Sequence, residues 1–219
     1  MENYEIRIES IGGFGANLIG KILGEIGAEY MNLEAQSFAS YGSEKRGSPV
    51  KSYIRYSKNE IRINAPVREP DLLALFRLSL GQKENTLAGI KENTAIVVNT
   101  EKNFDDVVKN LNLPSCNLWL IDAMDIAVKL GARLNVVMLG AMVKASGFIP
   151  LDYAKEAVKK TVGTKYPDKL EGNIKAIEAG YNQVVNKVIK NNIPPKEYKD
   201  TQRVLGYDNG PIGGVNYNF

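Results

Sequence analysis

Gly12, Gly13 and Gly15 crowd one short stretch near the start of the chain, with Phe14 between them and Ala16 and Asn17 directly after. Glycine there leaves backbone that can take positive φ or lie close against a ligand. Before it, Ile6 and Ile8 alternate with Glu5, Arg7 and Glu9, the period of a short strand. After it, Leu18, Ile19, Ile22, Leu23 and Ile26 recur at helical spacing, and Gly27 is placed to cap the helix. A strand that hands a glycine turn to a helix N-terminus makes a phosphate site, because free N–H groups and the positive end of the helix dipole point outward together. The pattern falls short of the dinucleotide fingerprint, which needs glycine where Leu18 stands. Glu34 does lie about twenty residues further on, where that fingerprint expects an acid for the ribose. The plainer reading is that the glycines only let the helix pack closely on its strand.

What is missing narrows the chemistry. The 219 residues include no histidine and one cysteine, Cys116. That removes the commonest general base and the commonest metal ligand. It also excludes an internal disulfide, and any iron–sulfur cluster held by cysteines of this chain alone. Cys116 sits in an apolar context and reads as a small buried residue in a reducing compartment. A net charge of +3 with no cluster of arginines and aromatics argues against a nucleic-acid surface. No apolar run reaches the length that crosses a bilayer, and MENYEIRIES has no secretory core, so no membrane partner and a cytoplasmic location are expected.

The elements that must hold the turn follow an α/β rhythm. A strand is predicted over Glu29–Ala35, then an irregular Ser/Gly-rich stretch over Gln36–Pro49 that carries Lys45 and Arg46. Val50–Asn64 predicts a β-hairpin, from alternation in Val50–Tyr56, a turn at Ser57–Asn59, and Ile61 and Ile63 beyond it. Asp71–Leu80, Ala95–Asn99 and Asn117–Ile121 read as strands. Lys83–Ile90, Phe104–Leu111, Ala123–Leu130 behind an Asp122 cap, and Leu134–Ser146 ended by Gly147 read as helices. Leu151–Val162 and Asn173–Lys190 are amphipathic and predict covering helices. The expected fold is α/β: a three-layer sandwich with a mostly parallel, mixed sheet, a β-hairpin insertion and C-terminal covering helices. Beyond Pro194–Pro195 no period emerges, yet Tyr198, Tyr207, Tyr217 and Phe219 are too aromatic for a typical disordered tail. The expected division is a domain over 1–193 and an extended arm over 194–219 that packs on a partner subunit.

The segment Ala35–Tyr56, AQSFASYGSEKRGSPVKSYIRY, is more specific than the turn. It resembles the gamma subunit of 2-oxoacid:ferredoxin oxidoreductases. In that family a glycine-rich first turn precedes an aromatic-Gly-x-Glu-x-Arg-Gly-Ala/Gly/Ser loop and an arginine-bearing strand. The matching residues here are Tyr41, Gly42, Glu44, Arg46, Gly47, Ser48 and Arg55. NAPVREPD at Asn64–Asp71 and VMLGAMVKASG at Val137–Gly147 resemble later family segments. The family's usual Gly-Gly-Gln-Gly is Gly12-Gly13-Phe14-Gly15 here, so contacts from backbone N–H groups carry over and those of a glutamine side chain do not. Arg-Gly-Ser-Pro followed by Val50 and Lys51 looks most like the pyruvate and branched-chain members.

The resemblance implies a reaction this chain cannot run alone: 2-oxoacid, coenzyme A and oxidised ferredoxin give acyl-CoA, carbon dioxide and reduced ferredoxin. Thiamine diphosphate with Mg2+ and the 4Fe–4S clusters are expected in the alpha, beta and delta partners. No catalytic residue and no metal site are expected in this chain. The site it implies here is for coenzyme A, with Gly12, Gly13, Phe14, Gly15, Ala16 and Asn17 offering backbone to a phosphate and Lys45 or Arg46 as charge partners. Two other readings stay open. One is a stand-alone NAD(P)-dependent Rossmann dehydrogenase with Glu34 on the ribose, and the other a scaffold that binds no small molecule.

Overall fold

In the computed structural model of the protein, residues 3–41, 48–164 and 166–199 are described. They build one seven-stranded mixed sheet in the order β2-β3-β1-β4-β5-β6-β7. The strands are β1 (Asn3–Ile11), β2 (Glu34–Tyr41), β3 (Pro49–Ser57), β4 (Leu72–Leu75), β5 (Ala95–Asn99), β6 (Cys116–Ile121) and β7 (Val185–Ile189). β1, β4, β5 and β6 run parallel, while β3 pairs antiparallel with both β1 and β2, and β7 antiparallel with β6. The central strands β4 and β5 are buried on both sides, which is why they read as unbroken apolar runs rather than alternations.

The helices are α1 (Ala16–Glu25), α2 (Phe104–Leu111), α3 (Ala123–Leu130), α4 (Leu134–Ser146), α5 (Leu151–Val158) and α6 (Leu170–Gln183). α1, α4, α5 and α6 cover one face, over Ile6, Ile8, Ile54, Leu72, Ala74 and Val97. A smaller core on the other face joins Leu73, Leu75, Ile96, Val98, Leu118 and Leu120 to Val107 and Leu111 of α2. The fold is the α/β class expected, with helices on both faces of a mixed sheet. α4 is buried from Leu134 to Val143 without a polar side, so it is a core helix rather than a surface one. α6 crosses it at two glycines: a Cβ on Gly140 would overlap the Ile177 carbonyl, and one on Gly180 the Val137 carbonyl. Both obstacles are backbone and cannot rotate away. Gly140→Ala is therefore expected to cost about 2 kcal/mol of stability, as overpacking does, read as a lower urea midpoint with unchanged slope.

Several expected elements are corrected. Gly27 does not end the first helix, which continues as a π-turn, Ile26–Tyr30. Gly27 lies under the Tyr56 ring, where a Cβ would overlap it, so the glycine serves close packing. The strand expected at Glu29–Ala35 is therefore displaced: β2 starts at Glu34 and takes in Gln36–Tyr41, a stretch expected to be irregular. It is an edge strand, and edge pairing tolerates its serines. The expected hairpin arm at Ile61 and Ile63 is not a strand; β3 spends both edges on β1 and β2, so the hairpin is β2–β3. The strand expected over Asp71–Leu80 stops at Leu75 and passes to a 3-10 turn, Leu78–Gln82, and Lys83–Ile90 forms turns rather than a helix. The helix expected over Leu151–Val162 ends in a π-turn, Lys159–Gly163. The helix expected over Asn173–Lys190 breaks at Val184, and its valines become β7. β-branched Val184, Val185 and Val188 favour that outcome once an open edge of β6 is available.

Candidate functional site

β1 delivers the chain into the glycine turn, and hydrogen bonds fix its shape. Gly12 N–H donates to the Ser48 carbonyl at 2.9 Å, and Phe14 N–H to the Ile11 carbonyl at 3.2 Å. Gly13 and Gly15 have φ of 98° and 80°, in the left-handed region that favours glycine. Gly15 caps α1, its carbonyl accepting from Ile19 N–H at 3.2 Å. The first i to i−4 bond of α1 is thus the one from Ile19, and the helix start presents its N–H groups at the turn. No acidic residue stands in the first turn of α1 to oppose an anion there.

The two positive-φ glycines differ in surroundings. A Cβ on Gly13 would meet open space, whereas one on Gly15 would overlap the side-chain amide of Asn135. Asn135 comes from the first turn of α4 and is 2 % exposed. Its Nδ2 donates to the Gly15 carbonyl at 3.5 Å, the long limit of such a bond, and its buried Oδ1 has no donor among the described residues. Next to it, exposed Arg133 precedes α4. Arg133, Asn135, Leu18, Thr161, Tyr166 and Lys169 share a cavity of about 280 Å³ beside the turn. Neither Arg133 nor Lys169 forms an ion pair among the described residues. Sequence reasoning missed Arg133 and Asn135. The available signal was an asparagine in the first turn of an otherwise apolar helix, a costly place to bury an amide without a partner.

Of the residues singled out beforehand, Gly12 to Asn17 form this turn together. Lys45 and Arg46 lie outside the described residues. The strands that flank them are described: Tyr41 pairs with Val50, and Ile11 with Pro49, so β2 ends and β3 begins at the end of the sheet that carries the glycine turn. Glu34 is at the opposite end. It shares the level of Asn3, both facing Ser57, which puts it roughly 26 Å from the turn at the rise of a strand. It cannot reach a ribose whose phosphate sits at α1.

A charged pair lies between the turn and the sheet's second face. Arg7, 1 % exposed, donates through Nη1 to the carbonyls of Val67 at 3.0 Å and Arg68 at 3.2 Å, and through Nη2 to those of Thr86 at 2.7 Å and Ala88 at 2.9 Å. Glu9, 2 % exposed, has Lys51 Nζ at 3.1 Å and Arg7 Nε at 3.7 Å. Burial holds the Glu9 carboxyl above its ordinary range, with Lys51 and Arg7 opposing the shift. Cys116 is fully buried, and burial pushes its thiol up to about 12. Among the described residues no group of three or more His, Cys, Asp or Glu side chains could hold a metal, and no helix is long and apolar enough to cross a membrane.

Residues 5–183 match the family described as Pyruvate ferredoxin/flavodoxin oxidoreductase. The chain belongs to that family. The pyruvate/ketoisovalerate oxidoreductases common subunit gamma of Thermococcus kodakarensis is 35% identical over 183 residues, covering 83% of this chain and 97% of that protein. Among solved structures, pyruvate oxidoreductase subunit PORC of Thermotoga maritima aligns with a TM-score of 0.75 at 27% identity, covering 85% of this chain and 99% of that one. A chain of 2-oxoglutarate:ferredoxin oxidoreductase from Magnetococcus marinus shares the fold, with a TM-score of 0.69 at 20% identity over 91% of this chain and 34% of that one. This chain is a gamma-type subunit of a 2-oxoacid oxidoreductase complex, as the resemblance in its loop and turn implies. The stand-alone NAD(P) dehydrogenase reading finds no support in these relatives, and the position of Glu34 opposes it.

Proposed function

We propose that this gamma subunit forms the phosphate-binding wall of the coenzyme A site in a pyruvate-type 2-oxoacid:ferredoxin oxidoreductase. The observation that supports the reading is the glycine turn at the start of α1, beside Arg133, which forms no ion pair among the described residues, and the buried Oδ1 of Asn135, which has no donor among them. Coenzyme A carries a pyrophosphate and a 3′-phosphate. Backbone N–H groups at a helix start suit one of them, and a guanidinium the other. Asn135 Oδ1 is an acceptor, so it suits a hydroxyl or amine of the same ligand rather than a phosphate. Lys45 and Arg46 are the further charge partners in this proposal.

The chemistry belongs to the neighbours. When bound by the alpha, beta and delta partners, thiamine diphosphate with Mg2+ supplies decarboxylation and the 4Fe–4S clusters supply the electron path to ferredoxin. The single buried cysteine here does not fit a cluster in this chain. What this chain does is hold coenzyme A, orient its thiol end away from the turn, and keep water from the acyl intermediate by lying over it. The Thermococcus relative is a gamma subunit common to pyruvate and ketoisovalerate oxidoreductases, which supports a gamma chain that does not choose the 2-oxoacid.

Arg133→Ala in the assembled complex tests this. The KM for coenzyme A is expected to rise about tenfold, the loss of one charge-assisted contact, with the 2-oxoacid KM unchanged. An unchanged coenzyme A KM contradicts the assignment of Arg133. Arg46→Ala separates two roles: a raised coenzyme A KM with intact assembly places Arg46 in the clamp, and loss of assembly places it in a subunit interface.

A further inference from the structure

The cavity beside the glycine turn has a rim and a floor of different chemistry. It holds about 280 Å³, and Leu18, Val136 and Val162 give it an apolar wall. Arg133, Tyr166 and Lys169 line it from exposed positions and form the rim. Asn173 lines it too but is only 6 % exposed, so it belongs to the floor. It stands in the first turn of α6, on the stripe that turns inward with Ala176, Ile177 and Gly180. The helical period asks for an apolar residue at that position. The Asn173 side-chain amide has no hydrogen-bond partner among the described residues. An amide withdrawn from water without a partner is costly, so a ligand that supplies the partner binds with that cost relieved.

The lining selects the ligand's chemistry. An apolar wall does not suit a phosphate, and a volume at the low end for a whole ligand suits a part of one. Tyr166 is 53 % exposed at the rim, where its ring offers a face to another aromatic ring. A carboxamide presents an acceptor beside a donor. The edge that complements it is an amino group beside a ring nitrogen, which is the N6 and N7 edge of adenine. Neither rim cation forms an ion pair among the described residues, so both are open to a phosphate on the sugar of the same nucleoside.

We propose that this cavity takes the adenine of coenzyme A, with Asn173 reading its amino edge, Tyr166 stacking on its face, and Arg133 and Lys169 flanking the 3′-phosphate. The inference rests on the reading that the glycine turn holds a phosphate of coenzyme A, here the pyrophosphate, and adds the site for the base. Leu18 belongs both to the first turn of α1 and to the cavity wall, so base and pyrophosphate have only that turn to span.

The KM of the assembled complex for coenzyme A, set against that for the deaminated coenzyme in which hypoxanthine replaces adenine, tests it. Hypoxanthine has acceptors at both O6 and N7, so no orientation of a carboxamide pairs with that edge. The unaltered complex is expected to show about a tenfold higher KM for the deaminated form. In Asn173→Leu the ratio of the two KM values is expected to fall to about one, because the reading group is gone. A ratio near one in the unaltered complex, or a ratio kept by Asn173→Leu, overturns the proposal. Both coenzymes carry the same phosphates, so the ratio does not depend on the glycine turn. A ratio near one while coenzyme A still slows hydrogen exchange from Phe14 to Leu18 would sink the base site alone. A ratio that depends on Asn173, with no slowing there, would uphold the base site and sink the turn's role alone. Should the leucine chain fail to assemble, photolabelling of the unaltered complex with 8-azidoadenosine 3′,5′-bisphosphate decides. Attachment within 131–136 or 161–173 supports the assignment, and attachment only elsewhere overturns it.

Discussion

The Arg7→Leu chain is expected to lose about 4 kcal/mol of stability, the range for breaking a buried ionic hydrogen-bonding group on one side only. Arg7 ties the loops 67–68 and 86–88, which have no strand or helix of their own there, to β1 through four hydrogen bonds. Removing its guanidinium leaves those four carbonyls without their donor. It also leaves Glu9 with Lys51 alone as counter-charge, in a place where burial already disfavours the carboxylate. Leucine fills the volume but donates nothing. Arg7→Lys restores charge and up to three donors without the planar fork, and should recover roughly half of the loss. Urea unfolding of the isolated subunit reads both values. A loss below about 1 kcal/mol for Arg7→Leu would mean that water satisfies the loop carbonyls.

Gly15→Val is expected to cost about 3 kcal/mol and to raise the coenzyme A KM of the complex by tenfold or more. The sum combines a β-branched residue at positive φ, about 1–2 kcal/mol, with overpacking against Asn135. The side chain that must move is Asn135, which lines the cavity beside the turn, so binding and stability are expected to fall together. Gly13→Ala is the control. It shares the positive φ but meets nothing within 4 Å. It should cost about 1 kcal/mol from strain alone. Equal losses at the two positions would show that strain, not the contact with Asn135, governs the turn.

Local signals in the sequence carried far where they were strong. Asn117–Ile121 and its Asp122 cap, α2, α3 and α4 fall where their periodicity and caps placed them, with Asp122 accepting from Asp125 N–H. The glycine turn was legible because strand, glycines and helix are contiguous. What failed was decided by distant partners. Gly27 resembles a cap, but the Tyr56 ring fills the space above it. Val184–Ile189 keeps helical spacing, but the free edge of β6 draws it into the sheet. Asn135 and Arg133 lie well over a hundred residues from Gly15, and no local pattern could join them to it. Glu34 had the right spacing and the wrong end of the sheet, because β2 begins there instead of finishing there.

Hydrogen exchange of the assembled complex with and without coenzyme A tests most directly whether this subunit's turn holds the anion. The amides of Phe14 to Leu18 should exchange more slowly with the ligand bound, while those of α2, on the far side of the sheet, stay as they were. Unaltered exchange across Phe14–Leu18 at saturating coenzyme A would contradict that assignment and leave the turn with a packing role alone.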